Sequence, residues 1–109
     1  MTWLLRDGDV LAAAEVVDGF GGRARGLIGR TGYDGAMVLP GTRSVHTFGM
    51  RFTLDVAFCD RDLVVLDTAR VPPLRMTAPR RGCRTVIEAE VGAFERWGLR
   101  TGDALELRG

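Results

Sequence analysis

Turn-forming residues recur so closely along this chain that the segments between them are too short for a bundle of long helices. Glycine, proline and aspartate favour turns, and here they cluster at short intervals. The fifteen glycines also fit this pattern better than a helical bundle. Short segments between closely spaced turns are typical of a mainly β domain. The turn signals lie at residues 7–9, 18–19, 21–22, 34–35, 40–41, 60–62, 72–73, 81–82 and 101–103.

The strongest strand signal is the stretch TLDVAFC, residues 53–59. Its even-numbered residues are large and apolar and would point to one face of an extended strand, whereas Asp55 falls on the other face. After a turn, residues 63–71 are rich in β-branched and aliphatic side chains, so the two segments predict a hairpin. Further strands are predicted at residues 2–6, 10–17, 36–39, 44–50, 85–90 and 104–108.

Two segments have a helical pattern. The first is GGRARGLIGR, residues 21–30, although each glycine inside a helix costs about 1 kcal/mol relative to alanine. The second is VGAFERWGL, residues 91–99, in which Gly98 is suited to end a short helix. Residues 71–84 form a long irregular stretch, and a loop of this length in a small domain is usually functional or mobile.

Length and composition indicate one soluble domain over residues 1–109. The chain is 46% hydrophobic and 27% charged, which is ordinary for a folded soluble protein. Its apolar stretches are far shorter than the roughly 20 residues that cross a bilayer. The first residues, MTWLLRDGD, have only a short apolar run and do not resemble a secretory signal. We therefore expect a cytoplasmic protein without a membrane partner.

The charge balance argues against nucleic acid as a partner. The net charge is only +1, and every basic residue is an arginine. Four arginines (Arg75, Arg80, Arg81 and Arg84) flank the long loop, but no aromatic residue lies between Phe58 and Phe94 to provide a stacking platform. These arginines could instead contact an anion or an acidic partner, or simply be solvated.

The cysteines and the single histidine do not form a metal site of their own. Cys59 and Cys83 lie 24 positions apart in a chain with only one histidine, which excludes a four-ligand zinc site. His46 with Met50 would suit a soft ion such as copper(I), but two ligands are too few. We expect two free thiols, no metal and no cofactor.

Four stretches of the chain form a recognisable series: RARGLIGR, GAMVLPGTRSVHTFGMRFTLDVAFCD, the proline-bearing loop after Val71, and VIEAEVGAFERWGLRTGDALEL. In this order they resemble the DUF192 family, also called UPF0127, a group of small bacterial and archaeal domains of uncharacterised function. The resemblance implies a single domain with a compact, mostly antiparallel β fold, sandwich or barrel-like, with one or two short helices. It implies no established reaction. Thr53 stands where the family usually has proline, and Ile28 also departs from the usual motif.

The central block also contains the candidate site. His46, Phe48 and Met50 are spaced by two, so an extended segment would place them on one face. Asp55 has the opposite parity and would join them only if the chain bends between residues 51 and 53. Our leading hypothesis is a binding module for a small ligand or a protein partner, formed by the segment from His46 to Asp55 and the loop from Arg75 to Arg84. The candidate binding residues are His46, Phe48, Met50, Asp55, Arg80 and Arg81.

Two other hypotheses remain open. In the first, the protein is a hydrolase or transferase in which His46 is the general base and Asp55 orients it. Thr47 and Cys59 would then be the nearby nucleophiles, although no GxSxG elbow is present. In the second, His46 and Asp55 have only structural roles, and function lies on other surfaces.

Overall fold

A computed structural model shows a curled β-sheet with one short helix in the described part of the chain, residues 1–17, 34–48 and 50–109. The mainly β prediction is therefore confirmed. The elements in chain order are β1 (Thr2–Arg6), β2 (Asp9–Val16), β3 (Ala36–Pro40), β4 (Leu54–Cys59), β5 (Val65–Val71), β6 (Thr85–Glu90), α1 (Ala93–Trp97) and β7 (Leu105–Arg108).

The seven strands form one sheet in the order β5-β4-β6-β3-β2-β1-β7. Only the β2–β3 pair is parallel; the other neighbours are antiparallel. The two edges of the sheet approach each other where Val64 forms a bridge with Ala104. Beside it, the Val65 N–H donates to the Asp103 carbonyl at 2.9 Å. The sheet therefore curls into a half-barrel, which agrees with the predicted barrel-like shape.

Strand β4 lies at the centre of the core, and all six of its residues are buried. Leu54, Val56 and Phe58 belong to one apolar cluster, which also contains Met50. Alternate residues of the same strand belong to a second cluster, which α1 covers with Phe94. The alternation predicted for residues 53–59 thus divides the core into two sides, and α1 marks one of them.

Most predicted elements are present. All seven strands fall within one or two residues of predicted limits. Gly98 ends α1 with a φ of 62°, and its N–H donates to the Glu95 carbonyl at 3.1 Å, as a C-terminal glycine should. The helix predicted at residues 21–30 lies outside the described residues. No helix among the described residues has the length and hydropathy needed to cross a bilayer.

The strand predicted at residues 44–50 is wrong. The described residues of this stretch, 44–48 and 50, make a single bridge, between His46 and Met76. The Met50 N–H donates to the Thr47 carbonyl at 3.1 Å, so the chain turns between these residues instead of extending. As a result Met50 is 4% exposed whereas Phe48 is 47% exposed, and the two side chains do not share a face.

The two cysteines are buried and free. Burial, together with the neighbouring Cys83 and Asp60, raises the pKa of Cys59 to about 12. Burial also raises the pKa of Cys83. At about pH 8 the thiolate of Cys59 would then be populated only on the order of 10⁻⁴.

We therefore expect neither thiol of the folded protein to react with Ellman's reagent at about pH 8 over many minutes. Both should react at once in concentrated guanidinium chloride, which serves as the control. Rapid reaction of one thiol in the folded protein would contradict the buried positions of these side chains.

Candidate functional site

Two irregular segments pack side by side over the cluster that contains Met50. We call them together the two-segment surface: residues 41–48 with 50–53, and residues 72–84. The Thr47 N–H donates to the Arg75 carbonyl at 2.8 Å, and the Thr77 N–H donates to the Val45 carbonyl at 2.8 Å. The Leu74 N–H reaches the Thr47 carbonyl at 3.3 Å. These backbone bonds give the two segments a defined arrangement although they are not strands.

Thr47 holds the two segments together through its side chain. It is fully buried, and its Oγ1 donates to the Pro72 carbonyl at 2.7 Å. The same oxygen accepts a hydrogen bond from the Arg75 N–H at 2.9 Å. Since the hydroxyl is buried and already bonded, Thr47 serves the fold here. Cys59, the other candidate nucleophile, is also fully buried.

Three large apolar side chains project from this surface into solvent. Phe48 is 47%, Leu74 65% and Met76 69% exposed; we call these three residues the exposed patch. The His46 ring stacks on Phe48 with ring centroids 5.6 Å apart and an interplanar angle of 23°. His46 also pairs with Met76 through the bridge between the segments. The structure therefore brings two of the candidate residues, His46 and Phe48, to the same exposed area.

Leu74 adopts a left-handed backbone conformation, with a φ of 62°. A residue with a Cβ pays roughly 1 kcal/mol or more for this conformation, which is usually left to glycine or asparagine. Leu63 has a similar φ of 61°, but its side chain packs against the core. Leu74 has no such compensation because its side chain is largely in solvent. An unfavourable backbone combined with an exposed apolar side chain is typical of a functional position.

Positive charge is concentrated on the two-segment surface. The two-segment surface has six arginines and no acidic residue, so all fourteen acidic residues of the chain lie elsewhere. Arg80 is the most engaged of the six: its guanidinium lies 4.4 Å from the Phe58 ring centroid, and its Nε donates to Asp67 at 2.9 Å. Arg81, the other predicted binding arginine, is exposed in a turn. The remaining exposed arginines of the surface are Arg43, Arg51, Arg75 and Arg84.

Asp55 lies on the other side of the sheet and anchors α1. It is 3% exposed, and its Oδ2 accepts hydrogen bonds from the N–H groups of Gly92 at 2.9 Å and Phe94 at 3.2 Å. Its Oδ1 accepts a hydrogen bond from Arg70 Nε at 3.2 Å. Asp55 therefore does not join Met50, which packs into the cluster on the opposite side of β4. The carboxylate serves the attachment of α1.

Sequence reasoning missed two kinds of residue. Leu74 and Met76 lie in a loop that was considered for its arginines, and no periodic pattern of apolar residues marks these two positions. Glu88 is fully buried in β6, opposite Met37 and Val56 in the sheet register. Its burial could have been predicted from the sequence, because Glu88 lies two positions after the apolar Val86 and therefore points to the same face of the strand. Among the described residues, no three His, Cys, Asp or Glu side chains gather in a way that could hold a metal ion.

The amino-acid sequence of this chain matches the model of a known protein family. The family DUF192, described as "Uncharacterized ACR", matches residues 3–107. The chain belongs to this family. Among DUF192 relatives, a UPF0127 protein from the archaeon Thermococcus sibiricus is 33% identical over 98 residues, which cover 84% of this chain and 64% of that protein. The match thus spans less than two thirds of that relative's length. The resemblance read from the central block is confirmed.

Two solved structures share the fold. A protein of unknown function from Novosphingobium aromaticivorans has a TM-score of 0.78 and 23% identity, covering 96% of this chain and 82% of that one. A proposed transcription regulator from Sinorhizobium meliloti has a TM-score of 0.80 and 20% identity, covering 96% of this chain and 90% of that one. At these identities the similarity shows the fold alone.

Proposed function

We propose that this DUF192 domain is a binding module that holds a protein partner or a small ligand on the two-segment surface. The observation that carries the proposal is Leu74, which is 65% exposed and has a φ of 62°. Because the side chain is exposed, it adds little to the stability of the fold. Its left-handed backbone conformation lowers that stability. A contact between this side chain and a partner would explain why the position holds leucine and not glycine.

The surroundings of Leu74 support the same proposal. Its neighbours Phe48 and Met76 are also exposed, and apolar side chains that lie together on a surface mark interaction sites more often than isolated ones do. Thr47 and the backbone bonds between the segments hold these positions in place before any partner arrives. Such preorganisation lowers the entropic cost of binding.

The catalytic alternative receives no comparable support. It needs Asp55 to orient His46, but the Asp55 carboxylate is engaged by Arg70 and by two N–H groups at the start of α1. The role proposed for the Sinorhizobium protein in transcription raises DNA as another partner for this surface. The exposed apolar side chains of Phe48, Leu74 and Met76 favour a protein partner.

Leu74→Gly provides the test. With ¹⁵N-labelled protein and phenol or isopropanol as small probes, we expect the largest NMR shift changes at the amides of Phe48, Leu74 and Met76. Leu74→Gly should reduce these changes because the central apolar side chain is gone. The free energy of unfolding of this variant should stay within about 0.5 kcal/mol of the parent or rise. Glycine destabilises the fold by making the unfolded chain more flexible, but this is offset because glycine adopts the left-handed conformation without cost.

Leu63→Gly is the matched control. It relieves a similar backbone conformation but removes a side chain that packs against the core, so the free energy of unfolding should fall by about 1–2 kcal/mol. The probe shifts at the exposed patch should remain. If the probes perturb the α1 side as strongly as the exposed patch, the proposed function is wrong.

A further inference from the structure

The charge of the two-segment surface points to the chemistry of its partner, given the binding function proposed above. The whole chain has a net charge of only +1, yet the two-segment surface holds six arginines and no carboxylate of its own. Among the described residues, Asp67 is bonded to one of these arginines, Arg80. The positive charge of the two segments favours a negatively charged partner for this surface.

The residue types around the patch are those found at protein interfaces. Aromatic residues, methionine and arginine are enriched at the centres of such interfaces, whereas lysine and acidic residues are depleted. Met76 and Phe48 lie in the patch, and Arg75 lies between Leu74 and Met76 in the chain. The Arg75 Nη1 donates to the Leu74 carbonyl at 3.2 Å, which holds this guanidinium close to the patch. Its remaining N–H groups can bind a carboxylate in bidentate fashion.

Other anionic partners fit this surface less well. Binding of single-stranded nucleic acid usually relies on several aromatic platforms for successive bases. Phe48 is the large exposed aromatic residue on the surface, and its neighbours in the patch are the aliphatic Leu74 and the thioether Met76. A membrane surface would need a larger apolar face than these three side chains provide. Side chains this exposed also do not enclose a small molecule.

From these observations we infer that the two-segment surface binds an acidic peptide segment that contains apolar side chains. The apolar side chains of the peptide contact Phe48, Leu74 and Met76, and its carboxylates bind Arg75 and other exposed arginines of the two-segment surface. Apolar contacts in the centre with charged pairs at the rim are the usual arrangement of a specific protein interface.

The experiment is a selection from a phage library of random peptides of about 12 residues, with the full chain immobilised. We expect the enriched peptides to have a negative net charge and at least one aromatic or large aliphatic residue. Fluorescence anisotropy with the best synthetic peptide should show that Leu74→Gly and Arg75→Glu each weaken binding by at least about tenfold. Binding should also weaken as sodium chloride is raised from about 50 to about 500 mM.

Arg96→Glu is the matched control, because Arg96 is an exposed arginine on α1, on the other side of the sheet. It should change the affinity by less than about twofold. A 20-residue single-stranded oligonucleotide, a DNA duplex and vesicles containing phosphatidylserine serve as competing probes. Each should bind more weakly than the peptide.

The outcomes separate the inference from the proposed function. Enriched peptides that lack negative charge but still depend on Leu74 would overturn the inference and leave the binding function standing. The same holds if DNA, the oligonucleotide or the vesicles bind more tightly than any peptide and depend on Leu74. Peptides that bind Leu74→Gly and the parent equally would overturn both. Failure to enrich any acidic peptide would overturn the inference.

Discussion

Replacing Asp55 with alanine is expected to lower the free energy of unfolding by about 3 kcal/mol. The carboxylate is buried and satisfies two backbone N–H groups, those of Gly92 and Phe94. Alanine would leave both donors without this acceptor and would remove the partner of Arg70 Nε. Loss of a buried charged acceptor is among the more costly single changes. Urea denaturation followed by circular dichroism measures the effect.

Two variants serve as controls for Asp55→Ala. Asp55→Asn keeps an oxygen that can accept from the N–H groups but loses the charge, so its cost should be smaller, about 1–2 kcal/mol. Glu95→Gln removes the other carboxylate that contacts Arg70, but this side chain is 77% exposed, and the cost should be near zero. If Asp55→Ala cost no more than Glu95→Gln, the attachment of α1 would have to rest on other contacts.

Replacing Thr47 with valine is expected to cost about 2 kcal/mol and to loosen the segment at residues 72–77. Valine matches threonine in shape, but it neither donates to the Pro72 carbonyl nor accepts from the Arg75 N–H. The Pro72 carbonyl and the Arg75 N–H would each lose the hydrogen bond that they make with the buried Thr47 hydroxyl. Hydrogen exchange should therefore become faster at the Leu74 and Arg75 amides, and urea denaturation should show the loss of stability.

Thr42→Val is the matched control, because the Thr42 hydroxyl donates to the Pro40 carbonyl at 3.3 Å in an exposed position. The expected cost is below about 0.5 kcal/mol, with no change in exchange at residues 72–77. A Thr47→Val protein whose Leu74 and Arg75 amides exchange at the parent rate would show that Thr47 is not what joins the two segments.

Much of the sheet could be predicted because its signals are local. In β4 the large apolar residues alternate with other side chains, and β5 is rich in aliphatic residues, so both strands and their hairpin followed from a few neighbours. The end of α1 followed from Gly98, since a left-handed residue there favours glycine. The parity of Asp55 also correctly placed it on the opposite face of β4 from Val56.

The site was harder to predict because it depends on contacts between distant residues. His46, Phe48 and Met50 have the spacing of a strand, but Thr47 bonds to Pro72 and Arg75, and the chain turns before Met50. Nothing local in the sequence encodes those bonds. Asp55 was predicted to orient His46, which is near it in sequence, whereas the carboxylate binds the cross-strand residue Arg70.

The order of the sheet has a consequence for how the chain reaches its native state. Strands β1 and β7 are neighbours, with Trp3 opposite Arg108, so this ladder joins residues separated by almost the whole chain. Closing so long a loop is entropically costly, and proteins rich in such contacts fold slowly. During synthesis one edge of β1 stays unpaired until β7 has left the ribosome. An exposed strand edge can pair with another chain, so rapid docking of the last strand protects the newly made protein from aggregation.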